Sequence, residues 1–206
     1  MEYYKKINLK CEKSIRDYLL DVVTPPNKIT DQTKISHELP KDLLDLVNAE
    51  LASYGISELL YCQSYLRSAG TVQGIHIDGI NFRWHAAINL PIQNTTGSKF
   101  SWYNGTYDIE QITRYTGDGA GGITPITFFE IINQDLKEAA SIELDQAYLV
   151  RVDEPHSATA NDLSNRWIFT MRFKGNPTFE ELYEKLPSWL QFRTTVVQTK
   201  KSSLNF

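Results

Sequence analysis

Between Leu59 and Lys174 the chain is a succession of short segments rich in β-branched and aromatic residues, broken at intervals by Gly, Asn and Asp. Segments of that texture read as strands. They run Leu59–Arg67, Val72–Asp78, Phe82–Pro91, Lys99–Tyr103, Pro125–Ile131, Ala147–Val152 and Arg166–Lys174. So many strands in a row argue for a sandwich, a jelly roll or a barrel. Eleven Tyr, nine Phe and four Trp suit a sheet-rich core or a lined pocket.

The flanks read differently. Cys11 to Val22 places Ile15, Tyr18, Leu19 and Val22 at helical spacing, and Pro25-Pro26 stops the pattern. Pro40 to Tyr54 repeats it with Leu43, Leu44, Leu46, Val47 and Leu51, and Gly55 closes it. Each helix has one apolar face, which must lie on something. A last helix, Thr178–Leu186, follows Pro177, and the final dozen residues read as a tail or an edge strand. With 206 residues and no composition break, the expectation is one domain: a helical flank over 1–55, a β core over 59–174, and a helix and tail over 177–206.

A net charge of −4 exerts no pull toward nucleic acid or an anionic membrane, and the Lys200-Lys201 pair reads as part of a solvated tail. No apolar run reaches the roughly 20 residues that cross a bilayer. The start, Met1-Glu2-Tyr3-Tyr4-Lys5-Lys6, lacks the apolar centre of a signal peptide. Cys11 and Cys62 are too few for a disulfide scaffold and lack metal-type spacing. The expectation is a cytoplasmic protein, in which the Asn-x-Thr sequences at Asn94 and Asn104 carry no sugar. Gly117-Asp-Gly-Ala-Gly-Gly122 lacks the Lys-Ser/Thr ending of a phosphate loop, leaving a flexible connection or a lid.

The chemistry concentrates in four histidines: His37, His76, His85 and His156. In Gly74-Ile75-His76-Ile77-Asp78-Gly79, strand geometry turns His76 and Asp78 to one side. An imidazole and a carboxylate are two-thirds of the facial triad that holds Fe(II) with open positions. Four His and twelve Asp in 206 residues supply about 0.23 such pairs by chance, so the pair needs support. It comes from His156, which follows a strand and lies far enough along for the chain to fold back. Arg166, ten residues later, offers a planar fork of donors for a carboxylate.

The arrangement His76-x-Asp78 … His156 … Arg166 resembles the Fe(II)/2-oxoglutarate-dependent dioxygenases, over roughly Leu59 to Lys174. That resemblance implies a double-stranded β-helix, a cupin-like jelly roll. It also implies iron on His76, Asp78 and His156, with 2-oxoglutarate as co-substrate on Arg166. Arg83-Trp84-His85 followed by Ala-Ala-Ile-Asn-Leu-Pro91 is similar to the aspartyl/asparaginyl β-hydroxylase branch, where His85 and Arg83 would also bind 2-oxoglutarate. His156-Ser-Ala-Thr-Ala-Asn161 resembles a stretch found in several branches. Where many members carry Ser or Thr after the arginine, this chain has Ile168; Thr170 and Arg172 share the strand face with Arg166 and compete for its role.

Each residue also has a plainer reading. His76 and Asp78 could be a hydrogen-bonded strand end, His156 a loop residue, and Arg166 a surface ion pair with Asp162. His85 is balanced between co-substrate contact and core, and His37 reads as exposed. Trp84 and Trp167 read as core. Trp102 and Tyr103 border an expected Asn104-Gly105 turn and are candidates for a pocket that receives a small molecule or a peptide. Two rivals to the oxygenase stand beside it: a cupin-like metal protein without 2-oxoglutarate, and a non-catalytic β-sandwich that binds a partner. The sequence does not reveal the substrate or the oligomeric state.

Overall fold

Arg-Trp-Ile-Phe-Thr-Met-Arg-Phe, residues 166–173, alternates polar and large apolar side chains, and every one of them is buried. A strand with that pattern has two covered faces. Trp167, Phe169, Met171 and Phe173 enter one apolar core, and Arg166, Ile168, Thr170 and Arg172 point to the other side, into a cavity. The computed structural model describes residues 1–22, 32–80, 82–117, 123–161 and 163–188, and this strand lies near the middle of its larger sheet.

In chain order the elements are β1 (Tyr4–Lys6), α1 (Glu12–Val22), β2 (Gln32–His37), α2 (Lys41–Ser53), β3 (Leu59–Arg67), β4 (Gly79–Ile80) and β5 (Phe82–Arg83). There follow β6 (Ala86–Gln93), β7 (Lys99–Gly117), β8 (Ile123–Glu143), β9 (Tyr148–Arg151), β10 (His156–Thr159), β11 (Arg166–Phe173) and α3 (Phe179–Lys185). The larger sheet has the order β1-β9-β6-β11-β3-β2, and the smaller one β10-β7-β8-β4-β5. All pairings are antiparallel. The fold is mainly β, two antiparallel sheets face to face as in a jelly roll, with helices on the outer face of the larger one.

Two cores explain why the layers stack. Ile15 and Leu19 of α1, Val47 and Leu51 of α2, and Phe179 and Leu182 of α3 cover the outer face of the larger sheet, where Ile88, Leu90, Phe169 and Met171 meet them. Between the sheets lie Ala87, Phe100, Trp102, Val150, Ala158 and Ile168. Buried Glu50 accepts hydrogen bonds from the backbone of Lys10 (2.7 Å) and Cys11 (2.8 Å) and so ties α2 to the start of α1. Gly55, at φ +69°, continues the chain in the left-handed region just past α2. Thr178 caps α3 through a reciprocal capping box with Glu181. No helix among the described residues is long and apolar enough to cross a membrane.

Several expectations change. Gln32–His37, to which the sequence pattern assigns no element, forms an edge strand whose backbone pairs with β3. Phe82–Pro91 is two strands, since β5 belongs to the smaller sheet and β6 to the larger, and the chain crosses at Trp84-His85. Val72–Asp78 makes only isolated bridges, at Val72 and His76, instead of a continuous strand. Lys99–Tyr103 and Pro125–Ile131 extend into the long ribbon of β7 and β8. Asn104-Gly105 is therefore mid-strand and not a turn. A Cβ at Gly105 would lie 2.0 Å from the Asp135 carbonyl oxygen, so close backbone approach explains the glycine. Pro25-Pro26, residues 118–122 of the Gly-rich segment, Asp162 and the tail with Lys200-Lys201 lie outside the described residues.

Candidate metal centre and anion pocket

The segment before β4 runs back along β10. His76 and His156 exchange backbone hydrogen bonds of 2.9 Å each way, Gln73 N–H donates to the Ala158 carbonyl (2.8 Å) and Asp78 N–H to that of Val152 (3.0 Å). That bridge sets two imidazoles side by side, with ring centres 4.3 Å apart. Asp78, two residues after His76, brings its carboxylate to the same place. Its Oδ1 lies 3.3 Å from His76 Nε2 and 3.6 Å from His156 Nε2. One ligand atom from each of the three residues falls within 4.8 Å of the others.

Both rings carry the tautomer that a metal needs. His76 Nδ1 lies 2.9 Å from the Gly74 carbonyl, and His156 Nδ1 lies 2.9 Å from that of Glu154. A carbonyl only accepts, so each Nδ1 carries the proton and each Nε2 keeps a lone pair. Phe100 stacks on the His156 ring at 5.0 Å and 12°, holding its plane. His156 is buried, and burial, then the neighbouring His76, lower its pKa and favour the neutral ligand form.

Asp78 is held from behind. Burial alone would raise its pKa, but the Arg172 guanidinium outweighs that cost, and the neighbouring His156 and His76 act in the same direction as the arginine. The carboxyl therefore stays well below the usual range and remains ionised. Arg172 Nη2 donates to Asp78 Oδ2, leaving Oδ1 on the histidine side. A second donation, Arg172 Nη1 to the Ala86 carbonyl (2.9 Å), anchors the fork to β6. Burial works against the arginine's charge too, yet Asp78 raises its pKa overall.

Arg166 is equally buried and differently served. It lies in the same cavity as the triad, with Tyr65, Gln73, Asn89 and Thr170 on the walls. Its Nη1 reaches the Thr159 carbonyl at a long 3.4 Å, and its buried Nε has no hydrogen-bond partner. No carboxylate among the described residues pairs with it. Burial, then the facing Arg67, push its pKa down. Arginine stays protonated in proteins, so the charge is retained at a cost in free energy. Such a group suits an anion.

The residues therefore fit a metal at one end of the cavity, on two lone pairs and a carboxylate, and a carboxylate ligand at the other. Of the residues singled out from sequence, His76, Asp78, His156 and Arg166 come together. Four do not. His85 Nδ1 lies 2.9 Å from Asp153 Oδ2, and Arg83 Nη2 donates to the Asp153 backbone carbonyl at 2.5 Å. The crossing between sheets at Trp84-His85 turns both toward Asp153, and neither lines the cavity. Trp102 is fully buried between Tyr3 and Phe100, with its Nε1 donating to Arg151 O, so it is core and not pocket. Tyr103 hydroxyl pairs with Ser157 Oγ (2.9 Å), away from the cavity. On the Arg166 strand, Arg172 pairs with Asp78 and Thr170 donates to Asn89 Oδ1 (2.7 Å), and all three residues of the strand line the cavity.

Sequence reasoning missed Gln73 and Phe100. Gln73 stands three residues before His76, outside any motif, and Phe100 reads as an ordinary strand aromatic. For Phe100 a usable signal was the alternation of β7, which places it two residues from Trp102.

No family model and no curated protein matches this chain. Among solved structures, it is similar to a prolyl-4-hydroxylase from Pseudomonas putida, with 13% identity, TM-score 0.38, and 84% of this chain against 92% of that one. It is also similar to ycfD from E. coli (11% identity, TM-score 0.37, 80% of this chain and 37% of that chain). A third likeness is to vicilin from hazelnut, Corylus avellana (10% identity, TM-score 0.34, 74% of this chain and 32% of that chain). The chain spans about a third of the length of the last two. Likenesses this distant carry no functional argument, which rests on the cavity.

Proposed function

We propose that this protein is an Fe(II)- and 2-oxoglutarate-dependent oxygenase that hydroxylates a small molecule or a peptide side chain. The observation that carries this reading is the cavity that joins His76, Asp78 and His156 to the buried, incompletely paired Arg166. Iron with 2-oxoglutarate and O2 would supply the oxidising chemistry: one oxygen atom of O2 would enter the succinate formed as 2-oxoglutarate loses CO2, and the other would enter a substrate C–H bond as a hydroxyl.

The chain's own residues do the rest. His76 and His156 offer Nε2 lone pairs because their Nδ1 protons are committed to backbone carbonyls. Asp78 offers Oδ1 as an anion because Arg172 holds Oδ2. Arg166 takes the distal carboxylate of the co-substrate and so fixes its orientation toward the metal end. The apolar walls, Phe100, Val152, Ala158 and Ile168, limit water around the reacting groups.

Anaerobic addition of Fe(II) and 2-oxoglutarate to metal-free protein tests this. The expected result is a visible charge-transfer band that is lost in His156→Ala. Tight iron binding without a band would make the protein a cupin-like metal protein of other chemistry. Failure to bind iron would end the oxygenase reading.

A further inference from the structure

Gln73 belongs to no motif, yet it links His76 to Arg67, the residue paired with Arg166 across β3 and β11. Arg67 Nη2 donates to its Oε1 (2.8 Å), and its Nε2 lies 2.7 Å from His76 Nε2. The chemistry orients this amide without ambiguity. Arginine only donates, so the oxygen must face Arg67, and the amide N–H must face the imidazole. His76 Nδ1 carries the ring proton, so the amide donates into the Nε2 lone pair. That is the lone pair through which His76 would ligate a metal.

A metal sits about 2.0–2.2 Å from a histidine nitrogen, so an ion and an amide nitrogen at hydrogen-bond range cannot share one lone pair. When His76 ligates, the Gln73 N–H must leave it. Arg67 keeps hold of the oxygen and limits where the amide can go. Arg67 is buried and stands directly opposite Arg166 in the β3–β11 register. Gln73 and Arg166 line the same cavity. The freed N–H therefore remains beside the space that a metal-bound anion would occupy.

We infer that Gln73 is a co-substrate-binding residue: its amide N–H exchanges the His76 lone pair for an oxygen atom of the dicarboxylate bound between the metal and Arg166. This rests on the metal-centre reading above. It makes two opposite demands of one side chain. Toward the metal alone, Gln73 is a competitor. Toward the co-substrate, it is a partner that only metal binding releases.

The test is a pair of affinities measured on the full chain, with Mn(II) in place of the oxidisable iron. Free Mn(II) is followed by electron paramagnetic resonance, and 2-oxoglutarate binding to the Mn(II)-loaded protein by calorimetry. Gln73→Leu removes the donor while keeping bulk. It is expected to bind Mn(II) about threefold to tenfold more tightly, the worth of one displaced hydrogen bond. The same variant should bind 2-oxoglutarate about tenfold more weakly, through loss of a charge-assisted bond. Gln73→Glu, which still accepts from Arg67 but cannot donate, should move both affinities in the same directions.

A residue that merely shapes the cavity would weaken both affinities together or change neither, and either result overturns the inference. Circular dichroism checks folding, and Gln73→Met replaces the Leu variant if that one misfolds. Mn(II) binding by the unaltered protein without divergence in the variants removes only the role of Gln73. Absence of Mn(II) binding by the unaltered protein removes the metal reading, and this inference with it.

Discussion

Arg166 and Arg172 stand six residues apart on one face of one strand, both buried to within 3% of full enclosure, and they live in opposite electrostatic worlds. Arg172 has a carboxylate in contact, a carbonyl on its other nitrogen, and a raised pKa. Arg166 has one long contact to a carbonyl, another arginine facing it, and a lowered pKa; an unpartnered Nε is common to both. A buried charge without a counter-ion costs free energy, whereas a buried pair comes closer to balance. The difference separates a residue that serves the protein from one that waits for a ligand. On the proposed function, Arg172 would build the metal side of the cavity, and Arg166 would mark where an anion arrives.

The comparison breaks most sharply at Arg172. Arg172→Met should strand Asp78 as a partly buried, uncompensated carboxylate and cost up to about 3 kcal/mol in a denaturant titration. Adding Asp78→Asn in the same chain should recover much of that loss, since no charge is then left alone. The pH dependence has a definite sign. Asp78 has a depressed pKa when folded, so its contribution is present above the ordinary carboxylate range near 4 and lost as pH falls through the folded value. In Arg172→Met the carboxyl pKa should rise, because burial then acts without opposition. The loss of stability should accordingly shrink as acid protonates Asp78. A loss that stayed constant down to pH 4 would mean that Arg172 acts by packing, over Trp84 for instance, and not through Asp78.

At Arg166 the same substitution should have the opposite sign. Arg166→Met removes a buried charge that no carboxylate among the described residues balances. Melting in the absence of ligand should show the variant as stable as the parent or more so, by about 1–3 kcal/mol. It should retain metal binding and lose 2-oxoglutarate affinity by about tenfold or more, the worth of charge-assisted hydrogen bonds. Destabilisation by Arg166→Met with unchanged 2-oxoglutarate affinity would place Arg166 among the structural arginines and erase the contrast with Arg172.

These predictions also mark where sequence reasoning stops. The β core was legible because β-branched and aromatic residues gather between breaks at Gly, Asn and Asp: Leu59–Arg67 is a strand as expected, and the expected Arg166–Lys174 ends one residue earlier, at Phe173. His76, Asp78, His156 and Arg166 could be nominated because histidine is scarce, four in the chain, and because the resemblance tied the four positions together. The partners around them could not. Arg172 could be placed on the right face, but nothing local says that Asp78, 94 positions earlier, comes to meet it. Gln73 was invisible because its two partners, Arg67 six residues before it and His76 three residues after it, meet it only through the bend of the chain and make no recognisable pattern. The misplacement of His85 has another cause. An unbroken run of strand-forming residues over Phe82–Pro91 hides the point at which the chain leaves one sheet for the other.

His85 supplies the finest test of the contrast, because the resemblance and the structure give it different work. The family pattern would set it on the co-substrate beside Arg166. In the structure its ring is held by Asp153, which also lies 3.7 Å from Arg151, in a partly exposed cluster outside the cavity. Exposed or half-exposed pairs of this kind contribute little, so His85→Ala should change stability by less than about 1 kcal/mol. The affinity of the metal-loaded protein for 2-oxoglutarate should stay within about twofold of the parent, against the much larger loss from Arg166→Met. A comparable loss from His85→Ala would mean that the ring leaves Asp153 and enters the cavity when the anion binds. The anion end would then be built from two strands instead of one, and Arg166 would no longer be the sole mark of it.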